Sequence, residues 1–150
     1  MELKIPPPLV AALCAAFMRE ISKKFNRATL NSGRTGPLAM LVLIIGSVIS
    51  LSAIVLFRKT RTTVNAMKPR NAKRLVDSGM YRFSRNPMYL GVLLILTSLA
   101  IWLENILNLA VLLFFVWYMT KFQIVPEEKV LEELFREQFE AYRAKVRRWI

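Results

Sequence analysis

No charged residue interrupts the chain between Pro37 and Phe57. As a helix this run is roughly 30 Å long, which matches the hydrocarbon thickness of a bilayer, and it predicts a transmembrane helix. Two more apolar segments, 88–103 and 106–125, are separated only by Glu104 and Asn105. So short a break allows only a tight helical hairpin, which returns both outer ends to one side of the membrane. A shorter segment, about 7–20, runs into Arg19, Glu20, Lys23 and Lys24 and would span only with snorkelling or local thinning. The expected fold is all-α: a polytopic membrane helical bundle of three to four transmembrane helices, a single domain over 1–150.

The charge pattern fits this frame. The formal net charge is +12 and hydrophobic residues make up 55% of the chain. A nucleic-acid binder needs no long apolar runs, so the basic residues are read as topology rather than as a nucleic-acid interface. The connection from Arg58 to Asn86 holds Arg58, Lys59, Arg61, Lys68, Arg70, Lys73, Arg74, Arg82 and Arg85 against one acid, Asp77. By the positive-inside rule this connection is cytoplasmic, and the hairpin brings the C-terminal segment to the same face. The basic stretch from Arg19 to Arg34 resists the scheme. Either the first segment lies in the interface, or the stronger bias of the later connection overrides it. The opening MELKIPPPLVAALCAA lacks a convincing cleavage site and is read as part of the mature chain.

From Pro126 to Ile150 the chain is charged, with Val130, Leu131, Leu134, Phe135, Phe139, Tyr142 and Val146 at helical spacing. This predicts an amphipathic cytoplasmic helix lying on the bundle or the headgroup layer. There is no histidine, and Cys14 is the only cysteine. Disulfides, Cys/His metal sites and Ser-His or Cys-His nucleophile pairs are therefore excluded. The available chemistry is that of Arg, Lys, Glu, Tyr, Asn and backbone.

Two places concentrate those groups. In GMYRFSRNPMYLG, Asn86 suits an N-cap and Pro87 the first helical position. That reading leaves Tyr81, Arg82, Arg85 and Tyr89 as two aromatics and two guanidinium groups at a helix start, a setting suited to a carboxylate or phosphate. Site and helix start account for this cluster equally well. Gly91, one turn on, allows close approach of a ligand or, more commonly, of another helix. Glu127 and Glu128 follow Pro126 at the membrane boundary. Taken alone they are acids at a helix N-terminus. On the face where the Arg-rich helix start also lies, they are partners for a cationic ligand group. Arg143, Lys145, Arg147 and Arg148 fit helix-end charges or headgroup contacts as well as they fit a site.

RNPMYLG, the apolar hairpin, PEE and the tail LEELFREQFEAYRAKVRRWI resemble, in order and spacing, the isoprenylcysteine carboxyl methyltransferase family. The similarity is to its short bacterial members and, more distantly, to the phosphatidylethanolamine N-methyltransferases. It extends upstream through TTVNAMKP and KIPPPLV and so covers most of the chain. The resemblance implies a membrane methyltransferase that uses S-adenosyl-L-methionine without a Rossmann fold. It assigns Arg85, Asn86, Pro87, Tyr89, Gly91, Glu127 and Glu128 to the cofactor site, where an aromatic such as Tyr81 or Tyr89 suits the adenine. The chain departs from the family pattern in the tail: the usual Phe-Gly is Phe135-Arg136, the usual Tyr is Phe139, and an arginine near the substrate in eukaryotic relatives falls at Lys145. Lys cannot reproduce the planar fork of Arg, and Arg143 is the alternative candidate for that role.

The implied reaction is in-line transfer of a methyl group to a lipophilic acceptor, a small molecule or lipid that enters from the bilayer, with the cofactor arriving from the cytosol. The implied location is a bacterial inner membrane. Glu128 is the candidate proton acceptor for an amine substrate. The competing readings are a small multi-span transporter, disfavoured because none of the segments 37–57, 88–103 and 106–125 holds an acidic residue, and a non-catalytic membrane scaffold.

Overall fold

A computed structural model describes residues 5–25, 35–59 and 75–150. The basic stretch 19–34 and the connection 58–86, on which the topology reading rests, lie partly outside the described residues. Those described form only helices and short connections, with no strand among them: α1 (Pro7–Lys24), α2 (Gly36–Lys59), α3 (Pro87–Leu103), α4 (Asn108–Met119) and α5 (Val125–Lys145). A 3-10 turn over Gly79–Arg82 precedes α3, and a π-helical turn over Thr120–Ile124 joins α4 to α5. Two helical stretches among the described residues, Gly36–Leu56 and Asn108–Lys145, are long and apolar enough to cross a membrane; α3 is a shorter apolar helix.

The helical hairpin forms as expected. α3 ends at Glu104, whose left-handed backbone (φ 49°) turns the chain toward α4. Thr35 Oγ1 donates to Glu104 Oε1 at 2.5 Å, which ties the start of α2 to this end. Asn105 Nδ2 donates to Phe25 O at 3.1 Å and Asn108 Nδ2 to Ser22 Oγ at 3.2 Å, which tie down the end of α1. At the opposite end Gln123 Nε2 donates to Ile5 O at 2.7 Å. α1 therefore lies along the hairpin from one end to the other rather than across it.

Residues one turn apart make the core. Val10, Cys14 and Met18 of α1 share one buried cluster with Val111, Phe115 and Met119 of α4 and with Tyr89 and Leu96 of α3. α2 packs on α3 through glycine. A Cβ on Gly91 would lie 2.6 Å from Gly46 O and 2.8 Å from Ser50 N, and one on Gly46 would lie 2.8 Å from Gly91 O. The rest of α2 leaves Leu38, Leu41, Ile44, Val48, Leu51 and Val55 exposed, the surface expected of a helix whose solvent is lipid.

The sequence reads as a helix break at Pro126, and the structure corrects this: α4 and α5 form one continuous helical path. Proline lacks an N–H and its ring clashes with the carbonyl four residues back. The widened turn just before it, where the Val125 N–H reaches back to Thr120 O, absorbs that misfit. The real interruption is later, at Arg136, with φ 36° and ψ −112° inside α5. Glycine enters such backbone territory freely and other residues enter it at a cost.

Candidate functional site

Side chains from the starts of α3 and α5 meet in one cluster. The Tyr89 hydroxyl donates to Glu127 Oε1 at 2.5 Å. Glu128 lies between two guanidinium groups: Arg85 Nη2 is 3.2 Å from Oε1, while Arg148 Nε and Nη2 donate to Oε1 at 3.1 Å and Oε2 at 2.7 Å. Only 9% of the Arg85 side chain is exposed. Its Nε and Nη1 are buried with no hydrogen-bond partner among the described residues.

Local sequence explains these positions. Pro87 starts α3, as expected, because its missing N–H falls where the helix needs none. Asn86 occupies the N-cap position without acting as a cap, a correction to the expected role. Its Nδ2 donates instead to Arg148 O at 3.0 Å. Ser84, fully buried, receives the Asn86 N–H at 3.1 Å and so folds the turn that presents Arg85. Tyr81 is buried behind this turn, and its carbonyl accepts from the Tyr142 hydroxyl at 2.7 Å.

Burial dominates the electrostatics. It lifts the Glu127 carboxyl from its ordinary 4.5 to about 8, opposed by the Tyr89 hydrogen bond and assisted by the neighbouring Glu128 charge. Burial also pushes the Tyr81 phenol upward. The site thus pairs a buried carboxyl that ionises at a cost with a buried guanidinium edge that lacks an acceptor. It suits a ligand carrying both a cationic and an anionic group.

The structure gathers Tyr81, Arg85, Asn86, Pro87, Tyr89, Glu127 and Glu128 in this region. Gly91 sits in the contact of α3 with α2. Arg143 lies outside the cluster, in an exposed ion pair with Glu132 at 3.7 Å. Lys145 lines a separate groove of about 830 Å³ with Asp77, Arg82, Phe135 and Tyr142. Arg148 is the residue that sequence reasoning left undistinguished among four tail cations. It lies beyond the end of α5, where helical periodicity carries no information.

A profile of the phospholipid methyltransferase family matches residues 35–138, which include both halves of this cluster except the tail. An uncharacterized protein of Haemophilus influenzae is 41% identical over 63 residues, 42% of this chain and all of that protein. A probable protein-S-isoprenylcysteine O-methyltransferase of Oryza sativa subsp. indica is 29% identical over 107 residues, 71% of this chain and 56% of the rice protein. The protein-S-isoprenylcysteine O-methyltransferase of Saccharomyces cerevisiae is 36% identical over 72 residues, 48% of this chain and 30% of the yeast protein. The chain thus spans about half of the rice relative and less of the yeast one. No solved structure matches it.

Proposed function

Because this chain belongs to the phospholipid methyltransferase family, we propose that it is a membrane methyltransferase whose α3–α5 cluster binds S-adenosyl-L-methionine. The observation that carries this reading is the buried, unpartnered edge of Arg85 in the same cluster as the Tyr89–Glu127 pair. The methionine end of the cofactor bears a carboxylate and an ammonium. Arg85 Nε and Nη1 would receive the first, and Glu127 would hold the second. Tyr81 and Tyr89 offer aromatic faces beside them. When bound, the cofactor supplies an electrophilic methyl group on a sulfonium.

The chain's own part is to hold and align that group and to exclude water from it. Glu128, with both oxygens held by the Arg85 and Arg148 guanidinium groups, is kept as the candidate proton acceptor for an amine substrate. The acceptor is proposed to be lipophilic and to enter from the bilayer along α2 and α3. In a bacterial inner membrane the cluster would face the cytoplasm, with α1 as a fourth span.

Thermal-shift and calorimetric titration of the detergent-solubilised protein with S-adenosylmethionine and S-adenosylhomocysteine test the reading. The parent is expected to bind both, and Arg85→Ala and Glu127→Ala to lose binding. No binding by the parent, or undiminished binding by both variants, would sink it. A lipid extract incubated with methyl-labelled cofactor and read by mass spectrometry would then identify the acceptor.

A further inference from the structure

Past the end of α5 the chain stays on the site as a strap. Arg147 O accepts from the Arg85 N–H at 3.0 Å. Arg148 O accepts from Asn86 Nδ2 at 3.0 Å and from Ser84 Oγ at 3.4 Å. Trp149 Nε1 donates to Thr120 Oγ1 at 3.1 Å. These anchors set the Arg148 guanidinium against Glu128 as a two-pronged fork, one nitrogen to each carboxylate oxygen.

Two arginines compete for this one carboxylate. A guanidinium meets a carboxylate best through two parallel hydrogen bonds. Arg148 holds that arrangement, and Arg85 is left with a single approach through Nη2. The consequence is the buried, unpartnered Nε and Nη1 of Arg85. Without Arg148, Glu128 is free to turn and take the Arg85 fork for itself, consuming the edge that an anionic ligand group would use.

We propose that Arg148 is a positioning residue: by engaging both oxygens of Glu128 it keeps the inner edge of Arg85 open to an anionic ligand group. The identity of that ligand rests on the cofactor reading above, but the state of the Arg85 side chain can be read without any ligand.

Two measurements on the full chain in detergent separate the claims. The first is nitrogen NMR of the Arg85 Nε–H, assigned by its loss in Arg85→Lys. Arg148→Gln is expected to shift this signal and slow its solvent exchange as Glu128 closes on Arg85, and Arg148→Gln with Glu128→Gln to return it to the parent state. The second is calorimetry with S-adenosylhomocysteine. Arg148→Gln is expected to weaken binding about tenfold, the scale of one charge-assisted hydrogen bond, and the double variant to recover most of it. Arg148→Lys keeps the charge without the fork and is expected to weaken binding too, which covers an unstable Arg148→Gln. An Arg85 signal indifferent to Arg148, or a double variant no better than the single one, overturns the proposal. A signal that responds as expected in a parent that does not bind the probe upholds the positioning role and overturns the cofactor reading.

Discussion

Gly91 carries two meanings in the sequence, ligand approach and helix approach, and substitution by alanine distinguishes them. A Cβ there would lie 2.6 Å from Gly46 O and 2.8 Å from Ser50 N, both backbone atoms of α2. No rotamer change can move them, so the two helices must part by roughly half an ångström, an overpacking strain that costs about 1–3 kcal/mol. The separation also stretches the 3.2 Å hydrogen bond from Ser50 Oγ to Met88 O. Gly46→Ala presses on Gly91 O from the other side at 2.8 Å and is expected to cost a similar amount. Gly36→Ala is the control, since a Cβ there meets only Trp102 Cζ3, at an ordinary 3.6 Å; its effect is expected within about 0.5 kcal/mol of zero. Thermal midpoints in one mild detergent, with reversible unfolding in mixed micelles where it can be established, provide the comparison. Gly91→Ala and Gly46→Ala no less stable than Gly36→Ala would refute the packing argument. Stability unchanged alongside abolished binding of S-adenosylhomocysteine would return Gly91 to the ligand.

Arg136→Gly is expected to raise stability by about 1 kcal/mol, because relief of the φ 36°, ψ −112° backbone outweighs the added unfolded-state entropy of glycine; a thermal midpoint lowered as for glycine in a regular helix would contradict this. The Glu127 carboxyl is raised in the folded chain to about 8 from an ordinary 4.5, so between these values the folded state holds more protons than the unfolded one and stability falls as pH rises. The slope from this one group approaches at most about 1.4 kcal/mol per pH unit. Glu127→Gln is expected to remove that part of the decline in thermal midpoint from pH 5 to pH 9, and parallel profiles for parent and variant would refute it.

The parts of this fold legible in the sequence are those governed by local chemistry. The length of the uncharged run fixes α2 because lipid tolerates no unpaired backbone. Glu104 and Asn105 mark the turn of the hairpin, and the structure extends that connection to residues 104–107, still too short for anything but a tight turn. Pro87 marks the start of α3 for an equally local reason. The same locality misleads at Pro126, where proline and the onset of charge read as a helix end. The structure resolves the misfit by widening one turn, a response that depends on what surrounds Thr120, including the indole of Trp149 from the far end of the chain.

The site divides along the same line. Arg85, Tyr89, Glu127 and Glu128 are legible because their side chains are the chemistry, and their spacing relative to the hairpin brings them to one face. The strap is not legible, because three of its anchors are made to the carbonyls of Arg147 and Arg148, groups that every residue carries alike. Asn86 illustrates the difference: the local rule assigns its side chain to the first turn of α3, whereas the amide donates to a carbonyl 62 residues away. A cap satisfies a helix end, but this contact joins the motif to the tail and thereby brings Arg148 to Glu128. On the proposed positioning role, the unpartnered edge of Arg85 is set by a residue outside RNPMYLG, and that segment alone does not guarantee an open site.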